Sequence, residues 1–257
     1  MRKETAKIIS QDKIAKDIFS MWIKTDIAYE AKAGQFISVF TKDRSKLLPR
    51  PISFCEIYKL AGLIRIVYRV TRKDTGTKQL SKLEGGDTVE IMGPLGNGFP
   101  MEDEDGKEIL LIGGGIGIPP MLQLAKEFKR ADVRMAMGYK DEVFLKEDFE
   151  NVGNVIIATE DGNAGVQGNV MDLIAWHFKR PDTIYACGPT PMLRALKEYA
   201  DRFAITLYVS MEEKMACGVG ACLACVCKST HKDEYGNQQQ KKICSDGPVF
   251  LSSQVEV

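Results

Sequence analysis

Ile109-Leu110-Leu111-Ile112-Gly113-Gly114-Gly115-Ile116-Gly117-Ile118-Pro119-Pro120 is the stretch on which the architecture turns. Four consecutive apolar residues suit a buried strand, and the residues from Ile118 to Lys129 read as a helix. Between them, four of the five residues 113–117 are glycine. Glycines at a strand-to-helix turn let backbone N–H groups approach a pyrophosphate, and the helix start adds partial positive charge. The run is not a strict G-x-G-x-x-G: counted from Gly115, its last glycine is replaced by Pro120. A purely structural tight turn is the other reading, and the flanking strand and helix favour a nucleotide.

Toward the C-terminus the same rhythm continues. Strands are expected at 133–137, 155–158, 184–186 and 206–209, with helices at 143–149, 170–178 and 192–202. Uninterrupted apolar strands alternating with helices imply a parallel sheet covered on both faces, with ligands at the carboxyl ends of its strands. Cys187-Gly188-Pro189 forms a second strand-to-helix crossing that suits the other half of a dinucleotide. Glu160 and Asp161 end the third strand, and carboxylates at that edge favour NAD over a 2′-phosphorylated NADP.

Toward the N-terminus the pattern is one of short strands at 18–24, 35–40, 52–58, 63–70 and 88–92, interrupted by one helix at 75–83. An antiparallel barrel or sandwich is expected. Arg50-Pro51-Ile52-Ser53 sets a cation and a hydroxyl at a strand entry, Tyr68-Arg69-Val70 closes another strand, and Gly76-Thr77 opens the helix. In combination these suit a flavin, with Arg50 and the Gly76-Thr77 helix start on its phosphates.

Beyond Met211 the chain is rich in cysteine and glycine. Cys217, Cys222, Cys225 and Cys244 follow the C-x4-C-x2-C…C spacing of a plant-type [2Fe-2S] cluster. The small residues between the first two let backbone N–H groups turn toward the sulfurs. A zinc site with four cysteine ligands and a set of unrelated buried thiols are the alternatives. Cys227 is the nearest competitor as a ligand, but an extended segment after Cys225 carries it past the cluster. The polar stretch 229–242 reads as an exposed hairpin or loop.

The 257 residues include 35 basic and 35 acidic side chains, a balance that gives no reason to expect a nucleic-acid partner. The charged N-terminus lacks a signal-peptide core and no apolar run approaches the ~20 residues of a membrane span, so a cytoplasmic location is expected. Seven cysteines in such a compartment favour metal or redox use over disulfides. His177, on a helix between Trp176 and Phe178, and His231, in the polar stretch, do not read as catalytic. This lack of an acid–base residue fits an electron conduit better than a stand-alone dehydrogenase. The acidic stretch Met101-Glu102-Asp103-Glu104-Asp105-Gly106 reads as a linker, and three domains are expected: a flavin-binding barrel at 1–102, an α/β domain at 103–210 and a small cluster module at 211–257.

The order R-P-I-S, G-T, G-G-G-I-G-I-P-P and C-G-P-T-P-M resembles the ferredoxin-NADP reductase superfamily over about residues 1–210. C-G-V-G-A-C-L-A-C-V-C and the later I-C-S-D-G-P-V-F resemble, more narrowly, the electron-transfer subunits of B-type dihydroorotate dehydrogenases. The resemblance implies FAD at Arg50, Pro51, Ile52, Ser53, Tyr68, Arg69, Val70, Gly76 and Thr77. It implies NAD at Gly113, Gly114, Gly115, Gly117, Cys187, Gly188 and Pro189, and a [2Fe-2S] cluster on the four named cysteines. It also implies an FMN-containing catalytic subunit that oxidises dihydroorotate in pyrimidine biosynthesis, in a heterotetramer of two copies of each chain. The expected electron path runs from that FMN through the cluster and FAD to NAD, with Cys187 near the nicotinamide, where a buried strand-end residue is the equally open alternative. A subunit of an NADH-dependent ferredoxin or sulfide oxidoreductase, and a zinc-stabilised nucleotide-binding module without redox function, are the competing readings. Two features depart from the superfamily pattern. The chain does not end in a flavin-stacking aromatic residue, and the cluster module is small enough to require burial against a partner.

Overall fold

The computed structural model describes the chain except for residues 44, 73 and 102–104 and the side chain of Trp176. The expected linker and the 102/103 boundary therefore lie, in their acidic centre, outside the described residues. The N-terminal strands are β1 (Arg2–Ala15), β2 (Ile18–Lys24), β3 (Phe36–Phe40), β4 (Arg50–Tyr58), β5 (Leu63–Arg69) and β6 (Thr88–Leu95), with helix α1 (Gly76–Leu80) before β6. They close into an antiparallel barrel in the order β1-β2-β5-β4-β3-β6. Alternating side chains, among them Ile8, Met21, Ile23, Ile37, Phe54, Ile64 and Ile91, fill its interior.

The pattern of short strands from residue 18 onward omits β1, which is the longest strand. Its sequence is mostly polar, and only Ala6, Ile8 and Ala15 are buried. It is a strand because both its edges are paired: residues 2–7 with β6, and residues 7–15 with β2, across two register shifts. One bent strand shared by two neighbours leaves the barrel no open edge, while its outer face carries charge in water. Helix α1 is shorter than the expected 75–83. Thr75 caps it by accepting from the Lys78 N–H, and it ends at Ser81.

The second half contains β7 (Glu108–Gly114), α2 (Ile118–Glu127), β8 (Asp132–Tyr139), α3 (Lys146–Glu150), β9 (Asn154–Thr159), β10 (Val166–Gln167), α4 (Val170–His177), β11 (Thr183–Cys187), α5 (Thr190–Phe203) and β12 (Thr206–Ser210). The C-terminal segment adds β13 (Val226–Lys232), β14 (Gln238–Lys242) and β15 (Val249–Leu251). The large sheet runs β10-β9-β8-β7-β11-β12-β15. Chain order reverses between β7 and β11, a switch point at which a crevice forms beyond the carboxyl ends of the strands.

β12 does not end this sheet. β15 returns and pairs antiparallel to it, Tyr208 opposite Leu251 and Ser210 opposite Val249. Cys225, Ile243 and Cys244 share a core with Phe36 and Leu95 of the barrel and Leu207, Val209 and Phe250 of the sheet. Residues 211–257 thus obtain much of their burial from the rest of the same chain. β13 and β14 form the expected hairpin.

Barrel and sheet are also joined directly. Cys55 and Val67 of the barrel pack in one core with Ile118, Met121 and Leu122 of α2. Gln123 on α2 accepts a hydrogen bond from the Ile57 N–H at 2.7 Å. Beside it the buried Glu56 carboxylate binds Arg65 at 2.7 Å and also Lys126, and Arg65 reaches Asp148 at 2.8 Å. Burial alone would raise the Glu56 pKa, but hydrogen bonds from Lys126 and Arg65 outweigh it and hold the carboxyl below its ordinary value.

Candidate functional site

A cavity of about 340 Å³ lies where the barrel, the start of α2 and the segment after β12 meet. Arg50, Pro51, Ile52, Ser53, Tyr68, Arg69 and Thr77 all line it. Val70 does not, whereas Thr71 does. Gly76 lies beneath the cavity wall: a Cβ there would sit 2.3 Å from Arg50 Nε, so only glycine lets the guanidinium rest on the start of α1. Arg50 Nη1 donates to the Leu48 carbonyl at 2.8 Å, fixing the head group. A fixed cation and the Ser53 and Thr77 hydroxyls on a largely apolar wall fit a flavin with its diphosphate. The five-residue α1 has little dipole of its own, so Arg50 supplies the main charge.

A second cavity, of about 460 Å³, occupies the crevice at the switch point. Gly114, Gly115, Glu160 and Pro189 line it, and so do Lys140, Asn169 and Met192. Gly113 and Gly117 do not; both are packing glycines. A Cβ on Gly113 would meet Met137 Sδ at 2.7 Å, and one on Gly117 would meet the Cys187 carbonyl oxygen at 2.3 Å. The two crossing loops are therefore pressed together backbone to backbone, and this contact shapes the crevice. Asp161 turns to its own loop, accepting from the Asn163 N–H at 3.0 Å. Gly188 lines a neighbouring pocket with Pro189, Met211 and Glu212.

Cys187 is buried beside Ser210, its partner across β11 and β12, and burial raises its thiol pKa. It lines none of these cavities. Its carbonyl, against Gly117, is the group that bears on the site.

The four cysteines come together as two pairs, Cys217 with Cys222 and Cys225 with Cys244. Backbone N–H groups point at their sulfurs, among them Val219 to Cys217 at 3.4 Å, Gly220 to Cys244 at 3.1 Å and Cys244 to Cys225 at 3.4 Å, with Ala221 and Cys222 also donating to Cys217. Left-handed backbone at Gly218, Gly220 and Leu223 turns the loop this way. The Val219 N–H beside Cys217 outweighs its slight burial and holds that thiol down to about 6, toward the thiolate that binds metal. Among the described residues no three His, Cys, Asp or Glu side chains close on a single ion position. Two thiol pairs with N–H donors to sulfur fit a two-iron, sulfide-bridged group better than one tetrahedral zinc. Cys227 lies on β13 opposite Lys241, already beyond the loop.

The motif reading did not single out Lys140 or the segment 211–215. Lys140 follows β8 directly, so its place at the carboxyl edge was available from strand order alone. Met211, Glu212, Glu213 and Met215 line the flavin-type cavity on their way from β12 to Cys217. No local pattern marks them; their position follows from the sheet edge they leave.

A family model for the iron-sulfur cluster binding domain of dihydroorotate dehydrogenase B matches residues 212–256. The electron transfer subunit of dihydroorotate dehydrogenase B (NAD(+)) from Geobacillus sp. (strain WCH70) is 39% identical over 99% of this chain and 99% of that protein. Its counterpart from Bacillus caldolyticus is 41% identical over 98% of each. Among solved structures, a chain of an NADH-dependent reduced ferredoxin-NADP oxidoreductase superposes with a TM-score of 0.85 at 30% identity, covering 98% of this chain and 89% of that one. Phthalate dioxygenase reductase shares the fold at a TM-score of 0.61 and 21% identity, over 93% of this chain and 76% of that one. With barrel, crevice and cysteine loop all accounted for along its full length, the chain belongs to the family of dihydroorotate dehydrogenase B (NAD(+)) electron transfer subunits.

Proposed function

We propose that this chain connects a dihydroorotate-oxidising catalytic subunit to NAD, using FAD in the barrel-side cavity and a [2Fe-2S] cluster on Cys217, Cys222, Cys225 and Cys244. The observation that carries the reading is adjacency. Segment 211–215 lines the flavin-type cavity and runs directly into the cysteine loop, while Arg69 lines both that cavity and the crevice. A bound flavin exchanges hydride with a nicotinamide and single electrons with an iron-sulfur cluster, so it belongs between the other two.

The protein's part is placement. Arg50 neutralises the flavin diphosphate, with Ser53 and Thr77 as hydrogen-bonding partners, and the Pro119-Pro120 start of α2 closes the cavity on the sheet side. Gly114 and Gly115 present backbone to the dinucleotide. Glu160 receives the adenosine ribose hydroxyls and disfavours a 2′-phosphate, although Lys140 in the same crevice moderates that preference. Val219 and Leu223, 41% and 62% exposed, flank the cysteines. These apolar side chains suit the docking of the catalytic subunit, which carries FMN, in an assembly of two copies of each chain.

The full-length likeness to a chain of an NADH-dependent ferredoxin-NADP oxidoreductase supports a second reading, in which the same conduit serves a ferredoxin-linked partner. The test is a visible spectrum of anaerobically purified protein before and after NADH, with iron and acid-labile sulfide measured on the same sample. Flavin and iron-sulfur bands that bleach with NADH, and copurification with a dihydroorotate-oxidising chain, are expected. A colourless, zinc-containing protein refutes the redox reading, and copurification with a ferredoxin-linked chain selects the second.

A further inference from the structure

We infer that Arg69, carried on barrel strand β5, is a ligand of the dinucleotide pyrophosphate rather than of the flavin. Arg69 is the last residue of β5 and its side chain is exposed, while its neighbours Val67 and Tyr68 are buried. It lines the flavin-type cavity and the dinucleotide crevice alike, whereas Arg50 lines only the former. In the crevice it lies over the glycine loop: its Nη2 is 3.8 Å from the place where a Cβ on Gly115 would stand, and beyond the loop's own backbone no other atom of the described residues lies within 4 Å of that place. Gly115, with φ +54°, thus leaves an open space bounded by loop backbone below and a guanidinium above.

Arg50, Arg65 and Arg69, all on barrel strands, differ in how they are occupied. Arg65 is spent on Glu56, Asp148 and Ser20, and Arg50 on the Leu48 and Pro49 carbonyls. Arg69 makes no hydrogen bond or ion pair among the described residues, and the acid that feels its charge is Glu212. A guanidinium has five donors in a planar fork, matched to phosphate oxygens. An unspent fork above a glycine loop at a strand-to-helix turn is a site for a diphosphate. The flavin diphosphate already has Arg50 at Gly76, so the second cation falls to the second diphosphate. Dinucleotide binding then draws on both domains, with the barrel adding a guanidinium over the glycine loop to the Lys140 ammonium that the α/β sheet places in the same crevice.

This inference rests on the dinucleotide reading of the crevice, and the experiment separates the two. Binding of NAD+ and of ADP-ribose, which keeps the pyrophosphate but lacks nicotinamide, is measured by calorimetry on the FAD- and cluster-loaded full chain. The variants are Arg69→Gln and Arg69→Lys. Arg69→Gln is expected to weaken both ligands about ten- to hundredfold, the worth of charge-assisted hydrogen bonds to a phosphate. FAD per chain should stay at the wild-type level, and Arg69→Lys should recover part of the loss without the fork. Wild-type affinity for ADP-ribose in Arg69→Gln overturns the assignment. So does loss of FAD from Arg69→Gln when its flavin-reconstituted form binds ADP-ribose normally. Failure of the wild-type protein itself to bind ADP-ribose removes the dinucleotide reading, and the assignment with it.

Discussion

Replacing Gly117 by alanine adds one carbon at the tightest junction of the site. That Cβ would stand 2.3 Å from the Cys187 carbonyl oxygen, 2.4 Å from its carbonyl carbon and 2.6 Å from the Gly188 nitrogen. Ordinary contact begins near 3.4 Å, and all three atoms are backbone, so no rotamer change relieves the clash. The loop after β7 and the turn after β11 must separate by about 1 Å, the difference between those distances. Overpacking of this kind costs about 1–3 kcal/mol of stability. A misplacement of about 1 Å costs on the order of a hundredfold in a positioned reaction. Stopped-flow reduction of bound flavin by NADH is the assay. Gly117→Ala should show roughly a hundredfold slower reduction with FAD content and iron content retained. Gly153→Ala is the control, since its Cβ would meet only Met135 Cε at 3.5 Å, and it should behave as wild type. Wild-type reduction kinetics in Gly117→Ala would refute the argument that this backbone contact sets the geometry of the crevice.

Other expectations concern different parts of the molecule. Cys244→Ser should lose most of its iron and acid-labile sulfide, whereas Cys227→Ser should keep both at wild-type ratios; equal loss in the two would remove Cys227's exclusion. Glu160→Gln should raise the ratio of NADPH to NADH turnover by about tenfold, as expected for relief of one like-charge contact of ~1.4 kcal/mol, and an unchanged ratio would assign selectivity elsewhere. The Glu56 carboxyl is held below its usual value of 4.5 in the folded protein. Its contribution to stability is therefore fully present above pH 4.5 and fades as pH falls through the lower folded value. Denaturation followed between pH 7 and pH 3 should show wild type losing its advantage over Glu56→Gln on the acid side. At neutral pH, removing the buried carboxylate should cost about 3 kcal/mol, the low end for a broken buried pair because Arg65 keeps Asp148.

Legibility in the sequence followed the range of the forces involved. The glycine run, the C-x4-C-x2-C loop and the R-P-I-S entry are local devices, needed within one turn, and each stood in the chain as a motif. Strands β7, β8, β9 and β11 were readable because burial of their centres on both faces favours apolar residues there, even though Arg134 interrupts β8. β1 was not, because a barrel strand needs apolar residues on its inner face only, here little more than Ala6 and Ile8, and pairing with β2 and β6 stabilises it. Helix α1 stopped earlier than its pattern because Ser81 ends it.

Within the site, residue types named the chemistry but not the roles. Four glycines in 113–117 looked alike as a run, yet Gly114 and Gly115 face the crevice while Gly113 and Gly117 hold the loops together. Glu160 and Asp161 are adjacent, and only Glu160 reaches the cavity. Arg69 read as part of a flavin segment, and its second face, over Gly115, exists only because α2 packs the sheet against the barrel. The chain by itself determined which cofactor chemistries it can hold, because glycine turns, cysteine spacing and a capped cation act over a few residues. Tertiary structure alone decided which residues share a cavity, and that the cysteine segment is part of the same core, because those contacts join residues far apart in sequence and depend on packing of whole faces.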